Sequence, residues 1–388
     1  MEGQRVVITI SLFFGLVLAA QDSLPRRPAL EANADTNDAQ SYYLLAMDRV
    51  RRNPREAANA FYWANRLDPE CAGCPYGRYA AQVLQDRERL IRYFIRRPGQ
   101  RDSAAFRDLD SLRSRSLVMD PFLYRRLDAV LLRELARELA PEASERLIEM
   151  VLMRADSFLA GLIQYGQGRF SEATYTWGEL ARGRPKNAYI RVERARAFFL
   201  QQRYDSARAQ LVEGLTIARR QDADSIRFSY ESKAAWEYSL GRIYQVMGQH
   251  DSARAAYERA LVEDLSYAAA HVQLGLLHAA RADTAAALRE MARAVAVNDR
   301  EYVPRLTYGW LLASAGRLDS AEVHVQRAAE LEPWAARPRM LLGAVRDARG
   351  DAAGALTAFI EYLARAARSD EDLPTVRARV AELRASRQ

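Results

Sequence analysis

Gly241, Gly275, Gly309 and Gly343 stand 34 residues apart, over three successive intervals. A fixed period of that size is the signature of a repeat array, and it constrains the fold more than any other property of the chain. Other positions keep the same beat. Gly248, Gly316 and Gly350 follow three of these glycines by seven residues. Ala253, Ala287, Ala321 and Ala355 follow each of the four by twelve, and Ala260, Ala294 and Ala328 come seven later still. The period predicts a helical solenoid, an architecture whose usual work is to hold another protein.

Within one period, AAWEYSLGRIYQVMG places Ala235, Tyr238, Leu240, Gly241, Ile243, Tyr244 and Met247 at helical spacing. Gly248 stops that helix, as a glycine just past a C-terminus does. Asp251 is expected to N-cap a second helix, DSARAAYERALVED, with Ala253, Tyr257, Ala260 and Leu261 on its apolar side. Asp205 and Asp319 recur at that cap position, and Glu322 after Asp319 approaches a capping box. Gly241 and Ala253 are expected to face each other where the two helices cross. Tyr257 and Leu240 should fill the space toward the next hairpin, since one hairpin cannot bury its own apolar face.

This pattern resembles the tetratricopeptide repeat (TPR), a helix hairpin of 34 residues that ends in Pro. In that frame 268–301 carries Leu274, Gly275, Ala287 and Ala294; 302–335 carries Gly309, Gly316, Ala321, Ala328 and Pro333. Unit 336–369 carries Leu342, Gly343, Gly350, Ala355 and Phe359. Upstream, 154–187 carries Gly161, Gly168, Ala173, Trp177 and Pro185, and 188–221 carries Ala195, Ala207 and Leu211. A detached unit at 38–71 carries Ala57, Phe61, Ala64 and Pro69. The resemblance implies an all-α, right-handed superhelical solenoid, with six repeats over 154–369 and a capping helix in 370–388. Twelve extra residues near 217–233 are expected to lengthen two helices around a QDAD turn. Residues 72–153 lack the pattern but read as helices or degenerate repeats: DRERLIRYFIRR, LYRRLDAVLLRELARELA and ASERLIEMVLMRADSF.

At the start of the chain Arg5 precedes VVITISLFFGLVLAA, an apolar run that ends in small residues. That is the layout of a secretory signal peptide over 1–20, with cleavage after Ala19 or Ala20. It is short for a membrane span, and uncleaved it would act as an anchor. Residues 21–37 read as a flexible linker, and no membrane span is expected in the chain that follows. Export to a periplasm is the expectation. Basic residues exceed acidic ones by seven, nearly all of them Arg, with Lys186 and Lys233 the only lysines. With abundant Ala, this resembles the amino-acid bias of a GC-rich bacterial genome. The basic stretch Arg87–Arg115 is broken by Glu88, Asp102, Asp108 and Asp110, which reads as a salt-bridged helix face rather than a nucleic-acid site.

Cys71 and Cys74 form the one cysteine motif, CAGC. A local disulfide suits an oxidising compartment; a thioredoxin-like role would need a βαβ setting; free thiols are the third reading. Pro75 stands where covalent haem would need His, and zinc lacks a second ligand pair, so no metal or cofactor is expected. His271 and His278 share a helix face at a spacing that favours packing over metal binding. No phosphate loop, GxSxG or HExxH motif is present.

The first helix of each TPR hairpin lines the concave surface. The resemblance therefore points to Phe158, Leu162, Tyr165, Tyr189, Arg196, Phe199, Tyr238, Arg242, Gln245, Trp310 and Met340 as groove residues. Aromatic and Arg side chains are favoured where binding energy concentrates. The Lys and Asn clamp that chaperone-binding TPR groups use is missing here; Arg196 and Arg242 offer an anion contact instead. The leading expectation is a non-catalytic scaffold for a protein or peptide, in envelope assembly or secretion. The alternatives are an enzyme using Cys71 and Cys74, and a cell-wall polymer binder.

Overall fold

The computed structural model describes residues 24–86, 90–91, 104–142, 144, 157–224 and 232–386. The expected signal segment, and most of the helices read at DRERLIRYFIRR and ASERLIEMVLMRADSF, lie outside the described residues. Those described include eighteen helices and no strand. They are α1 (Ala39–Arg49), α2 (Pro54–Leu67), α3 (Gly73–Leu84), α4 (Ala104–Met119), α5 (Arg126–Leu139), α6 (Ser157–Gly166), α7 (Phe170–Gly183), α8 (Ala188–Leu200) and α9 (Tyr204–Asp224). The remainder are α10 (Ala234–Val246), α11 (His250–Glu263), α12 (Ala268–Ala280), α13 (Thr284–Val297), α14 (Tyr302–Ser314), α15 (Leu318–Leu331), α16 (Arg337–Ala348), α17 (Ala352–Leu363) and α18 (Leu373–Ala385). From α6 to α17 they pair as six antiparallel hairpins in the predicted register, and Phe359 and Tyr362 of α17 pack against Leu373, Val376 and Val380 of α18.

In five of the six hairpins the first helix carries a glycine, with Ala195 at that position of α8, and its nearest neighbour is a large residue of the second helix. A Cβ built on Gly241 would lie 2.4 Å from the ring of Tyr257, and at the equivalent glycines the alanine twelve residues on is close too, Ala287 O at 3.3 Å from Gly275 and Ala321 O at 3.4 Å from Gly309. The same seat recurs sixteen residues later each time: Trp177 under Gly161, Met291 under Gly275, Val325 under Gly309 and Phe359 under Gly343. Tyr257 therefore fills the seat within its own hairpin and also joins the apolar cluster that Ala270, Leu274 and Leu277 of the next hairpin complete, as expected. Its hydroxyl donates to Gln245 Oε1 at 2.7 Å. The turn after each first helix holds one left-handed residue: Gly168, Gly248, Gly316 and Gly350, with Gln202 and Ala282 in the two hairpins that lack the glycine.

The recurrent aspartates are not caps. Gln249 and Arg317 occupy the cap positions of α11 and α15, which puts Asp251 and Asp319 inside the first turn. There they favour the helix macrodipole and reach the following hairpin, Asp251 to Arg281 at 2.6 Å and Asp319 to Arg349 at 2.8 Å. Asp205 likewise lies in the first turn of α9 and pairs with Arg208. Glu322 pairs with Arg346 and Arg349 instead of closing a capping box. The QDAD stretch is the end of α9, which runs 21 residues where its sister helices run 12 to 14.

Two further corrections concern the N-terminal third. Residues 24–37 carry tertiary contacts rather than forming a loose linker. Pro25 accepts a hydrogen bond from Trp63 Nε1 at 2.8 Å, and the Arg27 guanidinium lies over the rings of Tyr42 and Trp63. The helix read from Leu123 begins only at Arg126, because Asp120–Leu123 form a turn closed by Leu123 N to Asp120 O at 3.2 Å.

The array also meets its own start. Trp63 of α2 packs edge-on against Trp334, centroids 5.1 Å apart. Arg66 pairs with Glu332 at 2.7 Å and Arg337 with Glu70 at 2.9 Å. Asn37 Nδ2 donates to Ala364 O at 3.0 Å, and Asp35 accepts from the Arg368 amide at 2.5 Å. The unit at 38–71 is thus docked on the last hairpins of the array.

Two glycine-to-alanine changes should act with opposite sign. Gly241→Ala forces Tyr257 to move and is expected to destabilise by about 1–3 kcal/mol. Gly183→Ala, in the last turn of α7 with nothing within 4 Å, is expected to gain about 0.5–1 kcal/mol. Urea unfolding of the two variants checks this; equal effects would contradict the seat.

Candidate binding surface

Position nine of each 34-residue unit, which the TPR resemblance places on the concave wall, carries Leu162, Arg196, Arg242, Leu276, Trp310 and Ala344. Over the first three of these hairpins the wall is covered by the chain itself. Asp120 to Arg125 leave α4, turn, and lie along α6, α8 and α10. Phe122, 3% exposed, stacks on Phe199 with centroids 3.8 Å apart and rings within 13° of parallel. It sits in one apolar cluster with Val192, Phe198, Leu240 and Ile243. Asp120 accepts from the Phe122 amide at 2.9 Å, which fixes the turn, and its charge bears on Tyr238 and Arg242. Leu123 O accepts from the Tyr165 hydroxyl at 3.1 Å, and the Tyr124 hydroxyl donates to Gly166 O at 3.0 Å.

Arg125 ends this segment. It is 2% exposed, lies over the Tyr165 ring, and pairs with Glu193 and, at 3.6 Å, with Asp128. Glu193 also holds Arg196. Burial alone would raise the Glu193 pKa, but Arg125 and Arg196 beside it keep it below its ordinary value of 4.5. Burial pushes the Tyr165 and Tyr238 phenols up. Asp128 in turn accepts from the buried Tyr76 hydroxyl at 2.9 Å, which ties the pin to α3.

Tyr165, Arg196, Phe199, Tyr238 and Arg242 thus come together on this internal segment. Gln245 lies beside them and accepts from Tyr257. Phe158 and Leu162 pack in the core around Trp177, and Phe158 O accepts from Trp177 Nε1 at 3.2 Å. Met340 packs in the cluster of α17 and α18. Tyr189 stands apart, edge-on to Trp236 at 5.3 Å, beside a cavity of about 450 Å³ that both lysines, Lys186 and Lys233, help to line. Trp310 is 48% exposed on the inner wall, beyond the stretch that residues 120–125 cover.

The pattern of first helices could not disclose Phe122, Arg125 or Glu193. A signal was present in MDPFLYRR, where Asp-Pro breaks the helix before three large apolar residues. Cys71 and Cys74 are joined in a disulfide packed beneath Tyr42 and Trp63. His271 is buried on Glu290 at 2.7 Å while His278 faces Asp283, so the two do not converge. Among the described residues no three His, Cys, Asp or Glu side chains are placed to hold a metal ion. No helix described there is long and apolar enough to cross a membrane.

No family model matches the chain, and no curated protein matches it. Solved structures do. YrrB, described as a TPR protein with an unusual peptide-binding site, aligns at 20% identity and TM-score 0.41 over 51% of this chain and 94% of its own. PilW, a type IV pilus biogenesis factor, aligns at 17% and 0.45 over 57% and 96%. The C-terminal part of a TPR repeat-containing protein from Cytophaga hutchinsonii aligns at 15% and 0.46 over 54% and 78%. The repeated helix hairpins are like those of TPR structures. At these identities the likeness concerns the fold alone.

The Glu193 pin predicts a pH dependence. Its folded pKa is depressed, so its contribution is complete above 4.5 and is lost as pH falls through the folded value. Glu193→Gln, which leaves Arg125 buried without its main partner, is expected to cost about 3–5 kcal/mol at pH 7. The difference in melting temperature between wild type and variant should shrink below pH 4.5; a constant difference down to pH 3 would contradict the pin.

Proposed function

We propose that the chain is a non-catalytic scaffold that holds a protein or peptide segment along its concave wall. The observation that carries this reading is Trp310. It is a large aromatic side chain, half exposed, at the register position that the chain's own segment covers two and three hairpins upstream. A wall of Leu276, Trp310 and Ala344, bordered by the polar Ser314, offers apolar contact area at little conformational cost. The expected export signal and the Cys71–Cys74 disulfide support work in an oxidising compartment outside the cytoplasm, which fits a role in envelope assembly or secretion.

Site-specific photocrosslinking tests this. A photoreactive residue is placed at Trp310, and separately at Val323, which is 66% exposed on a second helix. The reading expects a discrete polypeptide adduct from position 310, competed by excess unlabelled protein, and none from 323. Equal adducts from both positions, or a carbohydrate polymer in place of a polypeptide, would overturn it.

A further inference from the structure

Asp120 to Arg125 belong to no repeat, yet they lie where a bound peptide would lie. They cross the first helices of three consecutive hairpins, on the inner wall rather than in a seam between helices of one hairpin. Their contacts are of the kinds that recognise a ligand: one aromatic slot for Phe122, one main-chain carbonyl read by Tyr165, and a carboxylate for Arg125. The turn is self-supported, since Asp120 accepts from the Phe122 amide and its carbonyl from Leu123. The shape therefore does not depend on the wall, and the same shape can be offered by another chain.

We propose that the wall formed by Tyr165, Glu193, Phe199, Leu240 and Ile243 recognises an acidic–proline–aromatic turn followed three residues later by Arg, and that Asp120–Arg125 is the chain's own copy of that ligand. This rests on the scaffold reading but is read out separately from it. A partner protein bearing such a turn competes with the internal copy for the wall. The charges match at Glu193, which receives the guanidinium.

The probe is a fluorescent peptide of residues 118–127, VMDPFLYRRL, measured by anisotropy on the full chain. Wild type should bind it weakly, because the tethered copy competes at an effective concentration of roughly millimolar. Phe122→Ala in the chain empties the slot without touching the wall and should tighten peptide binding by roughly tenfold or more. Adding Phe199→Ala should remove that gain, and a peptide with Ala in place of its Phe should not bind either protein. A Phe122→Ala chain that keeps wild-type circular dichroism but binds the peptide no more tightly would overturn the proposal. Hydrogen exchange on wild type decides it independently if that variant does not fold. The Phe122 and Leu123 amides should exchange well before those of α8 and α10, through local release of the segment. Exchange in step with those helices would make the segment ordinary core and overturn the proposal. Failure here leaves crosslinking at Trp310 unaffected.

Discussion

The seat between a first-helix glycine and the large residue sixteen positions later is the contact on which the rest of this structure depends. Without a Cβ at Gly241 or Gly343, the ring of Tyr257 or Phe359 slides beneath the opposing backbone, and the two helices cross closely. Trp177, Met291 and Val325 do the same with different volumes. Protein interiors are close-packed, so the size of this one side chain sets the local spacing of each hairpin. The spacing of hairpins then sets the curve of the array. That curve is what brings Trp334 back to Trp63.

At the seam, magnitudes separate what holds from what decorates. The Arg337–Glu70 pair has both side chains substantially exposed, and such pairs contribute about 0–1 kcal/mol. The edge-on Trp63–Trp334 contact contributes about 0.5–1.5 kcal/mol beyond its buried area. Arg66–Glu332 is more enclosed, and burial pushes the Glu332 carboxyl up despite Arg66. That pair fixes register more than it adds stability. Inside the array, α4 leads into the Asp120–Arg125 turn on the wall.

The repeat was legible because its contacts are local. A glycine and its partner sixteen residues on return in five of the six hairpins, and Gly168, Gly248, Gly316 and Gly350 mark turns between them. Spacing alone points to the small alanine twelve residues on and not to the larger residue sixteen on, whose side chain is the glycine's nearest neighbour. The aspartates were misread as caps for a related reason: a shift of two residues moves a carboxylate from the cap into the first turn, where it meets the next hairpin's Arg. Nothing periodic joins Trp63 to Trp334 or Arg125 to Glu193. Those pairs exist because the solenoid curves, and curvature is a sum of small angles that no single repeat displays. The inward register of Arg196, Phe199, Tyr238 and Arg242 follows from the pattern; their engagement with residues 120–125 does not.

The array closes on its own first hairpin. Paired spin labels at positions 70 and 337, whose side chains touch at 2.9 Å, measure it directly in solution. A closed array predicts one short, narrow distance. A broad distribution of long distances would mean that the first hairpin stands away from the last ones, and would contradict it.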